Sequence, residues 1–236
     1  MSERHAKGTN RLQRLVRAYL ARRYTILFYS LLLTLGAGPL LAALHLDDRL
    51  LQLFLAVNLL AAVLGVGDRR PSRFFLLLVG AALMVRLAAV PLQAEALAAM
   101  GLALWTVIGL LAAAGAVRFA MRGRAVSAEH LYAALSAYLV AGIFFGVLYG
   151  VIELAWPGSF VGGGARVARG RFSPAGAIYF SFVTQATLGY GDVVPASEVA
   201  RGLAIVQAVA GQLYLAVMVA RLVSLYVRGS EKEEGS

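Results

Sequence analysis

Cysteine is absent from the chain, so disulfides, thiolate catalysis and zinc–thiolate sites are excluded, and the redox compartment cannot be read. Charge is scarce: Asp, Glu, Lys and Arg make up 14% of the 236 residues, against 60% hydrophobic. Mean hydropathy is +0.75. A water-soluble domain needs more polar surface than this, so the composition argues for an integral membrane protein. The three histidines, His5, His45 and His130, are scattered and propose no metal cluster. No Ser/His/Asp set, metal-ligand group or pair of carboxylates falls within the apolar runs, so no enzyme and no cofactor are expected. Lysine occurs only as Lys7 and Lys232, a usage that with the Ala, Leu and Arg content suggests a bacterial source of high GC. No repeat of about 20–50 residues is visible. No small-residue cleavage site follows the first apolar run, which reads as a retained signal anchor.

What the chain has is apolar length. A helix needs about 20 apolar residues to cross a bilayer. Six runs qualify: Tyr24–Leu46, Leu50–Val66, Phe74–Leu92, Ala96–Phe119, Leu131–Ile152 and Val199–Val227. A seventh, Pro174–Ala186, is too short to cross. The net charge of +10 sets topology or meets anionic lipid rather than nucleic acid. Arginines precede the first run (Arg11, Arg14, Arg17, Arg22, Arg23) and recur at Arg69, Arg70, Arg73, Arg122, Arg124 and Arg228, all on one side if six helices alternate, with Arg166, Arg169 and Arg171 the exception on the other. The positive-inside rule then puts both termini in the cytoplasm of a multi-pass cell-membrane protein. Residues 1–23 read as a basic amphipathic helix at the inner surface, either a topology anchor or a site for anionic lipid. Residues 24–122 form a four-helix unit, residues 127–229 a second unit, and residues 230–236 a disordered tail.

Between the last two runs stands TQATLGYGDVVP, residues 184–195. Non-helical backbone at membrane depth is tolerated only where it is buried in protein or lines a water-filled path. Glycines at alternate positions, Gly189 and Gly191, allow torsions closed to other residues, so successive carbonyls can face one side. Four copies about an axis would stack rings of carbonyl oxygen able to replace the water around a monovalent cation.

Here the sequence resembles the potassium channel family. The resemblance rests on TLGYGD, Thr187–Asp192, with Leu188 where the family usually has valine or isoleucine, and on Gly211, which follows Gly189 by 22 residues. It covers about Leu131–Arg228. It implies an all-α membrane protein: a four-helix sensor-like bundle, then a pore domain with an outer helix 131–152, pore helix 174–186, filter 187–191 and inner helix 199–227, assembled as a homotetramer. It implies K+ sites at Thr187, Leu188, Gly189, Tyr190 and Gly191. Support would come from Thr184 and from Tyr179 bonded to Asp192, the alternative for Asp192 being a solvated carboxylate. Gly211 would be the inner-helix hinge, and Gln212, Leu215, Val219 and Val223 would line the cavity and gate. Packing against neighbouring helices, with Gln212 bonded inside the protein, is the alternative for these four. Arg221 should turn from the axis and snorkel to the inner interface.

Glu153 is either an interfacial carboxylate or, if buried, needs backbone donors. Trp156 marks the outer interface. The Gly/Arg stretch 162–171 reads as a solvated loop, or else a basic turret for anionic groups. The fourth run carries one arginine, Arg118, at its end. Each charge crossing the field is worth about 2.3 kcal/mol per 100 mV, so steep voltage gating is not expected. Arg86 is a charge inside the third run, either snorkelling or paired, with Asn58 as one candidate, or functional. The resulting expectation is a K+-selective channel with weak or no voltage dependence. A weakly selective cation channel and a non-conducting membrane scaffold or sensor on the same fold are the alternatives.

Overall fold

A computed structural model describes residues 22–44, 95–122, 128–162, 165–166 and 172–234, with helical positions at 77, 80–82 and 84–85. Residues 1–21 of the expected N-terminal amphipathic helix, the second run, Arg86 and Asn58 lie outside the described residues. The described elements run α1 (Arg23–Ala43), α2 (Glu95–Arg122), α3 (Ala128–Ala155), β1 (Phe160–Gly162), β2 (Ala165–Arg166), α4 (Pro174–Gln185), β3 (Val193–Pro195) and α5 (Glu198–Glu234). Two of these helices are long and apolar enough to cross a membrane, Ala128–Ala155 and Glu198–Arg221.

Each helix has a local cause. α3 is apolar on every side, as expected of a helix surrounded by protein and lipid rather than water. α4 starts where Ser173, in extended conformation, accepts a hydrogen bond from Gly176 N at 3.0 Å, with Pro174 supplying a preset φ at the first helical position. It stops at Ala186, whose N–H returns to Phe182 O at 2.9 Å. α5 begins at the Ser197 cap, where Ala200 N reaches Ser197 Oγ at 3.3 Å. It continues to Glu234, past Val227, and takes in Ser230–Glu234 of the expected tail. Glu and Lys in that stretch favour a helix that is already nucleated.

The all-α expectation needs one correction. The chain between Trp156 and Ser173, which includes the Gly/Arg stretch expected to be a solvated loop, contributes two strands to a three-stranded sheet of order β2-β1-β3. β1 pairs antiparallel with both neighbours, Gly162 opposite Ala165 and Val161 opposite Val194. Gly163 and Gly164 separate β1 from β2, a two-residue hairpin signal that could have been read. β3, directly after Asp192, is too short to show periodicity.

The packing forms two clusters. One joins α1, α2 and α3 through Leu27, Leu31, Ile108, Ala133, Val140 and Ile143. The other lies beneath the sheet, where Tyr149, Phe160 and Phe180 meet edge to face at centroid distances of 4.9–5.6 Å. α4 sits close against α3 because Gly146 leaves room: a Cβ there would lie 2.6 Å from Ile178 Cα. At the other end of α3, Glu129 accepts from Tyr24 N (3.2 Å) and Thr25 Oγ1 (2.5 Å), which satisfies donors of the first turn of α1. Tyr24 stacks on Phe119, and Phe119 on His130, at 4.8 Å each.

Candidate functional site

The segment after α4 has an unusual backbone. Thr187, Gly189 and Gly191 take positive φ (57°, 59° and 78°), and the intervening Leu188 and Tyr190 do not. In ordinary extended chain, neighbouring carbonyls point to opposite sides. Alternating the sign of φ rotates every second peptide, so successive carbonyls can share a side. Glycine adopts such torsions without the Cβ clash, and Thr187 is the one non-glycine residue with positive φ among the described residues. A Cβ at Gly189 or Gly191 would meet nothing within 4 Å, so torsion rather than space requires glycine there. All five residues are exposed on the single chain.

This exposed segment is held at both ends. At its base, Thr187 N donates to Thr184 O (3.1 Å) and Leu188 N to Val183 O (2.9 Å), so the last carbonyls of α4 set its start. At its far end, Asp192 interacts with the Tyr179 phenol, and the Tyr179 ring stacks on Tyr190 at 6.5 Å. Asp192 Oδ1 also accepts from Val193 N at 3.0 Å, where β3 begins. Thr184 thus bonds here through its main-chain oxygen, and the Tyr179 phenol meets Asp192.

Glu153 is buried and has the backbone donors it needs: Gly158 N at 2.8 Å and Phe160 N at 3.1 Å. It thus fixes the turn entering β1. Ser159 O then accepts from Ala196 N at 2.7 Å, which ties that turn to the end of β3. Trp156 is exposed.

On α5, the residues expected to line a pathway stay accessible: Gln212, Leu215, Val219 and Val223 are all exposed. So are Ile205, Val206, Val209, Leu213 and Val217, so one chain does not single out a lining stripe. The covered face of α5 is another stripe, Ala200, Gln207, Gly211 and Met218, at helical spacing. Gly211 contacts α4 directly: an added Cβ would lie 2.8 Å from Gln185 O and 2.9 Å from Gln185 Cγ. α5 is one continuous helix through this position, and the close approach to Gln185 gives Gly211 a packing role. Gln212 Nε2 donates to Gln185 O at 3.3 Å. Arg221 ends on the carbonyl of Ala120, in the last turn of α2.

Residues 133–228 match the ion channel family. No curated protein and no solved structure matches the chain. The ion channel domain begins two residues inside Leu131 and ends at Arg228, nearly the stretch on which the resemblance was read. It contains α4, the glycine-alternating segment and most of α3 and α5.

The ion channel domain also holds a polar network that reading the sequence missed. Gln207 Nε2 donates to Ser181 Oγ (2.6 Å) and Gln185 Oε1 (3.1 Å), and Gln207 Oε1 accepts from Tyr149 Oη at 2.7 Å. Ser181 Oγ donates to Gly142 O (2.6 Å) and Gln185 Nε2 to Tyr138 O (2.9 Å). Gln185, Gln207 and Ser181 are each almost fully buried. The available signal was their polarity inside apolar runs, since a buried amide needs partners. Among the described residues, no group of His, Cys, Asp or Glu could hold a metal ion.

Proposed function

We propose that the protein is a potassium-selective channel that conducts K+ passively through a pore shared by four copies of the chain, with weak or no intrinsic voltage gating. The observation that carries this reading is the alternation of φ sign at Thr187, Gly189 and Gly191 on an exposed, end-anchored segment within an ion channel domain. A single chain offers one main-chain oxygen per level, too few to replace a hydration shell. Four chains about an axis offer rings. Exposure of residues 187–191 and of Ile205, Val206, Val209, Leu213 and Val217 on α5 fits a surface that copies of the chain would share.

In this reading, Thr187, Leu188, Gly189, Tyr190 and Gly191 hold K+. Gln212, Leu215, Val219 and Val223 line the cavity and throat. The C-terminal end of α4 aims its partial negative charge at the cavity below. The six-span arrangement, with both termini in the cytoplasm of a cell-membrane protein, rests on the arginine distribution. The weak voltage dependence rests on α2, whose only basic residues, Arg118 and Arg122, stand at one end.

The test is flux and reversal potential in proteoliposomes. K+ or Rb+ should pass, Na+ should not, and barium should block. Equal K+ and Na+ permeability would remove the selectivity claim, and a purified assembly without fourfold symmetry would remove the pore itself.

A further inference from the structure

The segment 187–191 makes few contacts with its own chain, so its geometry depends on what holds its base. That base is the end of α4: the amides of Thr187 and Leu188 are pinned to Thr184 O and Val183 O. The position of the end of α4 depends in turn on Gln185. Its side chain donates to Tyr138 O on α3 and accepts from Gln207 on α5. Its carbonyl accepts from Gln212 and lies against Gly211. One turn earlier on the same face, Ser181 donates to Gly142 O on α3 and accepts from Gln207. Gln207 also draws Tyr149 of α3 onto its oxygen. One amide on α5 thus reaches both side chains by which α4 bonds to α3.

Apolar packing alone would let α4 slide or rotate by fractions of an ångström at little energetic cost. Directional hydrogen bonds in a dry interior resist that, because any shift leaves a buried polar atom unsatisfied. The network is fully partnered: each side-chain nitrogen and oxygen of Gln207 and Gln185, and the Ser181 hydroxyl, has a mate. A small error at Gln185 reaches Thr187 two residues later. Discrimination between monovalent cations depends on the spacing and field of the carbonyls that follow.

We infer that Gln207, with Ser181 and Gln185, is a positioning node that fixes the base of the ion-coordinating segment and thereby sets its discrimination between K+ and Na+. The inference rests on the proposed potassium-channel reading. It assigns Gln207 no contact with the ion.

The test compares bi-ionic K+/Na+ reversal potentials and thermal melting of the detergent-solubilised assembly for wild type and three variants. Gln207→Leu removes the node at similar volume. Ser181→Ala cuts one arm and guards against a Gln207 variant that does not assemble. Tyr214→Phe is the control: it deletes another α5-to-α3 hydrogen bond, from Tyr214 Oη to Ala134 O at 2.6 Å, which does not touch α4. Gln207→Leu and Ser181→Ala should lower the K+/Na+ permeability ratio by about tenfold or more, on the scale of one lost buried hydrogen bond. Tyr214→Phe should lower the melting temperature and leave the ratio within about twofold of wild type. The inference is overturned if the ratio is unchanged in Ser181→Ala and in any assembled Gln207→Leu, or if Tyr214→Phe moves it as far as they do. A wild-type protein that fails to discriminate K+ from Na+ overturns the channel reading itself, and the node with it.

Discussion

Single residues show two different reasons for glycine. Gly189 is set by torsion, with open space where a Cβ would go, whereas Gly211 is set by space, against the backbone of Gln185. Gly211→Ala should therefore destabilise the protein by about 1–3 kcal/mol through overpacking. Gly36, inside α1, has nothing within 4 Å of a built Cβ. Gly36→Ala should instead stabilise by about 0.5–1 kcal/mol through helix propensity. Thermal unfolding of the purified protein distinguishes the two, and a neutral Gly211→Ala would contradict the close α4–α5 contact. Glu153 offers a second residue-scale test. Its two carboxylate oxygens take two backbone donors, and glutamine would aim an NH2 group at one of them. Glu153→Gln should cost about 1–3 kcal/mol in the same melt, the penalty of one unsatisfied buried donor. The sequence pointed to Glu153 as a residue needing donors if buried. That it is buried follows from the turn at Trp156–Ser159, which folds the chain back over it.

At the scale of elements, α4 is short and depends on its ends. Its N-terminal cap is one hydroxyl, Ser173 Oγ, so Ser173→Ala should cost about 1 kcal/mol. Differential scanning fluorimetry reads this directly, and an unchanged melting temperature would mean that tertiary contacts alone hold the first turn. α2 and α5 meet at a charged contact, Arg221 on the Ala120 carbonyl. A guanidinium on a carbonyl of a helix's last turn is favourable through both the hydrogen bond and the helix dipole. Arg221→Met, which keeps the apolar stem, should cost about 1–3 kcal/mol. Apolar length is a local property, and the described helices α1, α2, α3 and α5 each lie on an apolar run. The joining of β3 to β1 was not legible, because strands of three residues have no period to read and these two pair across about 30 residues of chain. The polar network was also not legible. Ser181, Gln185 and Gln207 are each visible as polar residues in apolar runs, but only the packing of α3, α4 and α5 brings them together.

The whole molecule leaves much of α5 uncovered. Within its apolar window 17% of residues are buried, against 50% for α3, and the single chain therefore presents an apolar surface that needs lipid or other copies of itself. If copies cover it, a carboxylate on that surface should block assembly: Val206→Glu or Val209→Glu should cut the assembled fraction by about tenfold or more, given the cost of burying an unpaired charge. Light scattering of the detergent-solubilised protein gives the answer, and full assembly of both variants would place that surface against lipid. Voltage dependence also belongs to this scale. With basic residues only at the end of α2, the conductance–voltage relation should be shallow, carrying about one effective gating charge per subunit or fewer. A steep relation would locate the gating charge outside the described helices.

By itself the sequence determined the chemistry of the parts: a chain too apolar for water, helices long enough to cross a bilayer, and a glycine-alternating segment between two of them. These follow from composition, length and local torsional freedom, which need no knowledge of the neighbours. The tertiary structure alone decided how that segment is held. The three buried polar side chains behind it, the glycine pressed against the end of α4 and the small sheet beyond Asp192 are contacts between residues far apart in the chain, and such contacts exist only once the helices have packed.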